Sequence, residues 1–414
     1  MKLLFLHQNF PAQFRHVAAH FAANPAHQVI AVGENDNLKR AIAGALLHPG
    51  IRLCPYPAPQ PSGKASHPYL QGYDAAVRRG LTTANCVGQL KASGFRPELI
   101  VAHPGWGEAL FLRDVFPEAR LVLYAEYYYH ATGADVGFDP EFPAVADDRF
   151  RLRVKNTTQW MSMENADLLI APTRWQQSRF PRLIQDRIQV VHDGIDTRHV
   201  ASNPFARISL ANAGITLGAD DEIITYVARN LEPYRGFHIF MRALPALLEL
   251  RPKARVLIVG GDHVSYGTRP ADGRTWRSKM LDEVGSRIDP GRVHFLGRLP
   301  YADYLRLLQI STAHVYLTYP FVLSWSLLEA LSAGCMVVGS RTAPVEEVIR
   351  HGENGWLVDF FDHQALAEKL AEAVERRDQL QQIRAAARKT VVENFDLQSR
   401  CLPRQVELLQ ELAG

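Results

Sequence analysis

Cysteine is scarce in this chain of 414 residues, where Cys54, Cys86, Cys335 and Cys401 are the full complement. They lie far apart, form no CxxC pair and have no histidine at metal-ligand spacing. They therefore read as reduced, mostly buried thiols, which argues against a disulfide framework or a zinc site and for a reducing, cytoplasmic setting. No segment reaches the about eighteen uninterrupted apolar residues of a membrane span, and the opening MKLLFLHQNF has an apolar run too short for a signal-peptide core. Any membrane contact is expected to be peripheral, at the inner face. Charge of one sign is also lacking: 46 Lys+Arg against 43 Asp+Glu give a net charge of +3, and no basic stripe stands out, so a nucleic-acid partner is not expected. HQNFPAQ, not G-x-G-x-x-G, follows the first apolar run, which argues against a dinucleotide-binding dehydrogenase. There is no DxD triplet to hold a divalent ion, so no metal is expected.

What is present is a repeated alternation. Apolar runs of strand length occur at 3–7, 28–33, 98–103, 120–126, 167–172 and 188–194, with helical patterns such as 13–23 and 73–93 between them. Runs that are apolar on both faces are how buried parallel strands read. After a polar, turn-rich passage near 196–221 the pattern restarts at 222–229, 254–261, 292–297, 313–318, 336–340 and 355–360. A chain of this length exceeds one ordinary core and fits two domains of about 200 residues each. The expected fold is α/β: two facing Rossmann-like domains with a cleft between them. The first is expected over 1–198 and the second over 199–392. Residues 393–414 are expected to form a final helix, interrupted by Pro403, that crosses back to the first domain. Ligands of such sheets sit at the carboxyl ends of the strands.

One stretch carries the most chemistry. TYPFVLSWSLLEALSAGCMVVGS, from residue 318, leaves a strand, crosses a loop and opens a helix near Ser324 that carries Glu329. The amides of a helix start favour an anion, which places a phosphate at Leu323, Ser324, Trp325 and Ser326. Glu329 then either accepts hydrogen bonds from a ribose diol or is simply solvated. Upstream, YVARNLEPYRG sets Arg229 and Arg235 at a strand end, where two guanidinium groups suit a diphosphate and the charge that builds on it as it leaves. Loose surface arginines are the alternative.

These segments resemble the donor-binding region of glycosyltransferase family 4, retaining enzymes of the GT-B fold. In that family two glutamates eight positions apart precede a small-residue run. Glu329 matches the second glutamate, Phe321 stands at the first, and Ser324 replaces the usual glycine. Arg229 and Arg235 match the family's Arg and Lys, VLIVGG matches its glycine turn at Gly260, and the backbone at Arg298 and Leu299 is implied to touch the nucleobase. In the first domain the resemblance places Glu126 where the family has a histidine beside the donor sugar, with His130 nearby as an alternative. HPGWGEA is similar to the family's H-x-H region: His103 is either a core histidine or sugar-facing, and Trp106 either stacks on a sugar ring or pins its loop. Gln13 stands at the first helix start, where Pro11-Ala12 replace the family's glycines. Tyr127 belongs to an aromatic-rich loop that faces an acceptor or packs on itself.

The resemblance implies retaining transfer of a hexose-type sugar from a nucleotide diphosphate, UDP before GDP, to a saccharide, lipid-linked or protein acceptor, in glycan or polysaccharide biosynthesis and with no other cofactor. A GT-B phosphorylase or sugar-nucleotide epimerase shares the architecture, and a non-catalytic GT-B partner protein is the alternative from a different class. The oligomeric state is not written in the residues.

Overall fold

In the computed structural model, which describes residues 1–60, 63, 65–210 and 213–414, the chain divides into two compact units. One comprises Met1–Gly194 together with Gln398–Gly414, the other Ile195–Leu397. Each is built on a parallel sheet.

The first unit's strands are β1 (Lys2–Leu6), β2 (Gln28–Glu34), β3 (Ile51–Tyr56), β4 (Leu99–Ala102), β5 (Arg120–Tyr124), β6 (Leu168–Ala171) and β7 (Ile188–Val190), in the order β3-β2-β1-β4-β5-β6-β7. Strand residues alternate between two apolar layers. Leu3 and Phe5 pack with Phe14, Val17, Val406 and Leu409 on one side, while Leu4 and Leu6 pack with Val87, Leu112 and Phe180 on the other. Burial on both faces is why these strands read as unbroken apolar runs. β3 was not among the expected strands. It is an edge strand interrupted by Arg52 and Pro55, and the edge is where a sheet tolerates proline.

The second unit begins with an antiparallel pair, β8 (Arg207–Leu210) and β9 (Ile215–Gly218), inside the passage read as turns. Its main sheet contains β10 (Ile223–Asn230), β11 (Arg255–Gly261), β12 (Val293–Gly297), β13 (Ala313–Tyr316), β14 (Met336–Ser340) and β15 (Trp356–Val358), in the order β12-β11-β10-β13-β14-β15. Both main sheets are doubly wound, with the strand order reversing between β1 and β4 in one and between β10 and β13 in the other.

Two local expectations are corrected. Pro403 does not break the last helix but sits in the first turn of Leu402–Ala413, where a π-helical turn, Leu397–Cys401, gives way to α-helix, so the proline marks a change of helical type. The cysteines are not all remote from one another: Cys54 and Cys86 are both half-buried, with their sulfurs 3.0 Å apart. Among the described residues no helix is long and apolar enough to cross a membrane.

Candidate active site

The reversal of strand order opens a crevice at the carboxyl ends of the two strands that flank it. In the second unit those strands are β10 and β13. β10 ends at Arg229 and Asn230, and the chain returns through a short turn, Pro233–Arg235, into the helix Phe237–Leu250. Gly236 links turn to helix at φ +66°, and a side chain there would meet Leu317 Cβ at 2.4 Å, so only glycine lets the turn lie against the end of β13.

Arg235 is buried, and its Nη1 donates to Thr318 Oγ1 (2.7 Å) and to the Val322 carbonyl (3.1 Å). One guanidinium thus ties β10's exit to the loop that follows β13. Arg229 is exposed at the strand end.

That loop leads to Ser324, which caps the helix Trp325–Ser332 by accepting from the Ser326 amide and whose own amide donates to the Tyr316 hydroxyl (2.8 Å). Leu323 is buried, Ser324 and Ser326 are half-buried, and Trp325 is 42% exposed. Glu329, on the same helix, is half-buried and accepts from two tyrosine hydroxyls, Tyr301 on Oε1 and Tyr304 on Oε2, each at 2.7 Å. Burial raises the Glu329 carboxyl above its ordinary range, and the two tyrosine hydrogen bonds pull it back toward ionisation.

Phe321 is buried against Tyr234 (5.6 Å between ring centroids, edge-on) and Tyr266 (5.0 Å). The position that carries a carboxylate in the resembling family is here part of an aromatic cluster. A carboxylate that no motif marks supports this cluster from a distant part of the chain: Glu232 is buried and accepts from the amides of Ser265, Tyr266 and Gly267 (2.9, 3.2 and 2.9 Å). It holds in place the loop after β11 that presents Tyr266. Gly260 owes its identity to packing, since a Cβ there would come within 2.6 Å of Leu231 Cδ2. Arg298 is exposed and donates to Asn230 Oδ1 (3.2 Å), and Leu299 leans on the core.

In the first unit the strands at the reversal are β1 and β4, and their first residues beyond the sheet are His7 and His103. Both are buried, their rings 5.1 Å apart. Each Nδ1 accepts from an amide two residues on, that of Asn9 (2.8 Å) and that of Gly105 (3.1 Å), which leaves each proton on Nε2. Burial, with His103 alongside, pushes His7 well below its ordinary range. Nε2 of His103 lies 3.4 Å from Glu126 Oε2, and Gln13 Nε2 donates to Glu126 Oε1 (3.1 Å). Gln13, His103 and Glu126 are therefore brought together from three separate segments.

Trp106 stacks on His103 (4.5 Å, 26°) and is 37% exposed. The glycine after it adopts φ +110°, and a Cβ there would come within 2.1 Å of the Ala76 carbonyl. Ala12, where the family has glycine, sits at φ +39°, the left-handed conformation glycine adopts most readily. The remaining two candidates are engaged elsewhere: Tyr127 is buried with its hydroxyl donated to Asp135 (2.9 Å), and a ring nitrogen of His130 meets the Arg179 carbonyl. Tyr124, whose hydroxyl donates to the buried Asp193 carboxylate (2.9 Å), had no sequence signal beyond its strand.

Residues 25–200 match the glycosyl transferase family 4 group, and residues 213–390 match the glycosyl transferases group 1. Among curated proteins, a D-inositol 3-phosphate glycosyltransferase of Corynebacterium urealyticum is 27% identical over 52% of this chain and 50% of its own length. A phosphatidyl-myo-inositol mannosyltransferase of Mycobacterium leprae is 29% identical over 42% of each. The chain spans about half the length of the curated relatives it matches. Among solved structures, Anabaena HepE in complex with UDP and glucose superposes with a TM-score of 0.69 at 18% identity, over 99% of this chain and 100% of that one. The sucrose-phosphate synthase of Thermosynechococcus elongatus superposes with 0.72 at 16% identity, over 100% and 99%. These likenesses carry the fold, and the two family matches, which between them run from residue 25 to residue 390, carry the lineage: the chain belongs to the GT-B glycosyltransferases of family 4.

Proposed function

We propose that this protein transfers a hexose-type sugar from a nucleotide diphosphate, UDP before GDP, to an acceptor hydroxyl with retention of configuration. The observation that carries the reading is Glu329, a half-buried carboxylate held by two tyrosine hydroxyls on a helix whose capped start lies beside the buried Arg235. In this reading Glu329 grips the ribose diol, the amides around Ser324–Ser326 take a phosphate, and Arg229 with Arg235 offsets the charge gathering on the departing diphosphate. The sugar–phosphate bond breaks, the acceptor oxygen bonds to the anomeric carbon on the same face, and its proton passes to the leaving phosphate oxygen. Positive charge is supplied by the arginines and the helix start, so the scheme calls for no metal.

In the same reading the Gln13–His103–Glu126 cluster binds sugar hydroxyls and Trp106 offers its open face to a pyranoside. The complex with UDP and glucose named for the Anabaena protein and the inositol-based acceptors named for the curated relatives support a nucleotide-sugar donor and a polyol or lipid-linked acceptor. The exposed Phe150, flanked on its helix by Arg149 and Arg153, supports peripheral contact with an anionic membrane.

The test is calorimetric binding of UDP and GDP, followed by sugar release from the donor that matches the tighter base. Arg229→Ala lies at an exposed site and is expected to lower turnover about 100-fold with the fold intact. Normal turnover in that variant would sink the assignment. Phe321, an aromatic where the family carries a carboxylate, favours a second reading as a non-catalytic GT-B partner. Nucleotide binding with no sugar release from any donor would select it.

A further inference from the structure

We infer that Cys54 and Cys86 constitute a redox modification site, a thiol pair that closes to a disulfide and reopens. This stands apart from sugar transfer and rests on where the two sulfurs lie. Cys54 is on β3 and Cys86 on the helix Gln71–Ala92, and folding brings their sulfurs to 3.0 Å, within about 1 Å of a bonded separation. Both side chains are half-buried, so a small reagent can reach them, whereas Cys335 and Cys401 are buried. The shared hydrogen bond, with Arg52 nearby, draws the Cys54 thiol down to about 7, where a large thiolate fraction exists at neutral pH.

The oxidant required is a low-molecular-weight disulfide such as oxidised glutathione. The Cys54 thiol loses its proton and attacks one glutathione sulfur. The glutathione S–S bond breaks, and the departing thiolate takes up that proton. The Cys86 thiol then loses its proton and attacks the Cys54 sulfur, releasing the second glutathione, which takes that proton in turn. Two protein thiols are oxidised and one small disulfide is reduced to two thiols.

The elements so joined also support the first unit's polar cluster. Tyr56 is two residues beyond Cys54 on the same face of β3, and Arg79 is seven before Cys86 on one helix face. Arg79 Nη1 donates to the Tyr56 hydroxyl (3.2 Å), and that hydroxyl donates to the buried Glu108 (2.7 Å) at the end of the loop carrying His103 and Trp106. A disulfide therefore fastens the strand and helix that anchor this loop.

The experiment equilibrates the full chain with graded ratios of reduced to oxidised glutathione, quenches by alkylation and maps the products by mass spectrometry. Expected is concerted loss of alkylation at Cys54 and Cys86, a Cys54–Cys86 cross-linked peptide, and a melting temperature raised by about 5 °C, all reversed by reductant. Cys335 and Cys401 should remain alkylatable after unfolding. In Cys86→Ser, glutathione should stay on Cys54, because the resolving thiol is gone. Two stable glutathione adducts on the native chain, or full alkylation of both cysteines under fully oxidising conditions, would overturn the proposal without touching the glycosyltransferase reading.

Discussion

Glu329 shares its two oxygens with two tyrosines of different standing. The Tyr304 side chain lies deep against the core, whereas Tyr301 is 49% exposed, its ring 6.0 Å from that of His199. A ribose approaching Glu329 from solvent competes with the exposed hydroxyl and is braced by the buried one. Tyr304→Phe is therefore expected to weaken UDP binding about tenfold, the scale of one hydrogen bond to a charged group. Tyr301→Phe is expected to leave affinity unchanged or improve it.

The pH profile has a definite sign. Burial raises the Glu329 carboxyl and the tyrosines lower it, so removing Tyr304 raises it further. UDP affinity, which needs the ionised form, should then begin to fall at a higher pH than in the native chain. Calorimetry from pH 5 to 8 reads both effects, and equal losses in the two variants with no shift of the acid limb would refute the arrangement. Nothing in the spacing of Tyr301 and Tyr304 marks them as partners of a residue more than twenty positions away.

At the scale of elements, what the residues disclosed depended on how each element is buried. Strands covered on both faces, such as LLFL and VLIV, announced themselves as apolar runs. β3 did not, because an edge strand tolerates Arg52 and Pro55, and in the antiparallel pair β8–β9 the first strand alternates exposed and buried residues within a polar passage. The helix Asp148–Lys155 is an element with consequences of its own. It carries Arg149 and Arg153 one turn apart with the exposed Phe150 between them, while Arg151 on the other side pairs with Asp148 and the Lys155 ammonium lies over the Tyr129 ring. If this face meets anionic lipid, each basic side chain contributes about 1 kcal/mol near the surface. Arg149→Glu with Arg153→Glu should cut retention on phosphatidylserine vesicles at least about tenfold and leave UDP affinity alone. Equal retention of the native chain on neutral vesicles would count against the membrane face.

At the scale of the whole chain, the polypeptide leaves its first unit after Gly194 and rejoins it at Gln398. The returning helix buries Val406, Leu408 and Leu409 in the same apolar layer as Leu3, Phe5 and Val17, and Gln405 donates to the His192 carbonyl (3.0 Å). Leu409→Asp should thus cost the first unit about 3 kcal/mol or more, lowering its calorimetric transition while that of the second unit stays in place.

Acid sensitivity is another property of the whole. His7, His192 and His314 are buried and held neutral, with burial drawing His192 down to about 4 and His314 to about 3. These folded-state values lie below the unfolded one, so the unfolded chain binds more protons. Stability should therefore be full above about pH 6.5 and fall as pH drops below it, by up to about 2 kcal/mol per histidine at pH 5. Urea unfolding at pH 7.5 and 5 measures the difference, and His192→Asn should reduce the pH dependence.

The order and lengths of the apolar runs, the restart after residue 200 and the Glu329 and Arg235 segments were enough to determine two doubly wound sheets and a family, because burial on both faces and strand-end loops leave their mark in local sequence. Only the tertiary structure decided the partners: Tyr301 and Tyr304 on Glu329, Arg235 on Thr318, His103 and Gln13 on Glu126, Cys54 beside Cys86. Each of these pairs joins segments that are separate in the chain, and their geometry is set by strand order and packing rather than by the residues' own neighbours.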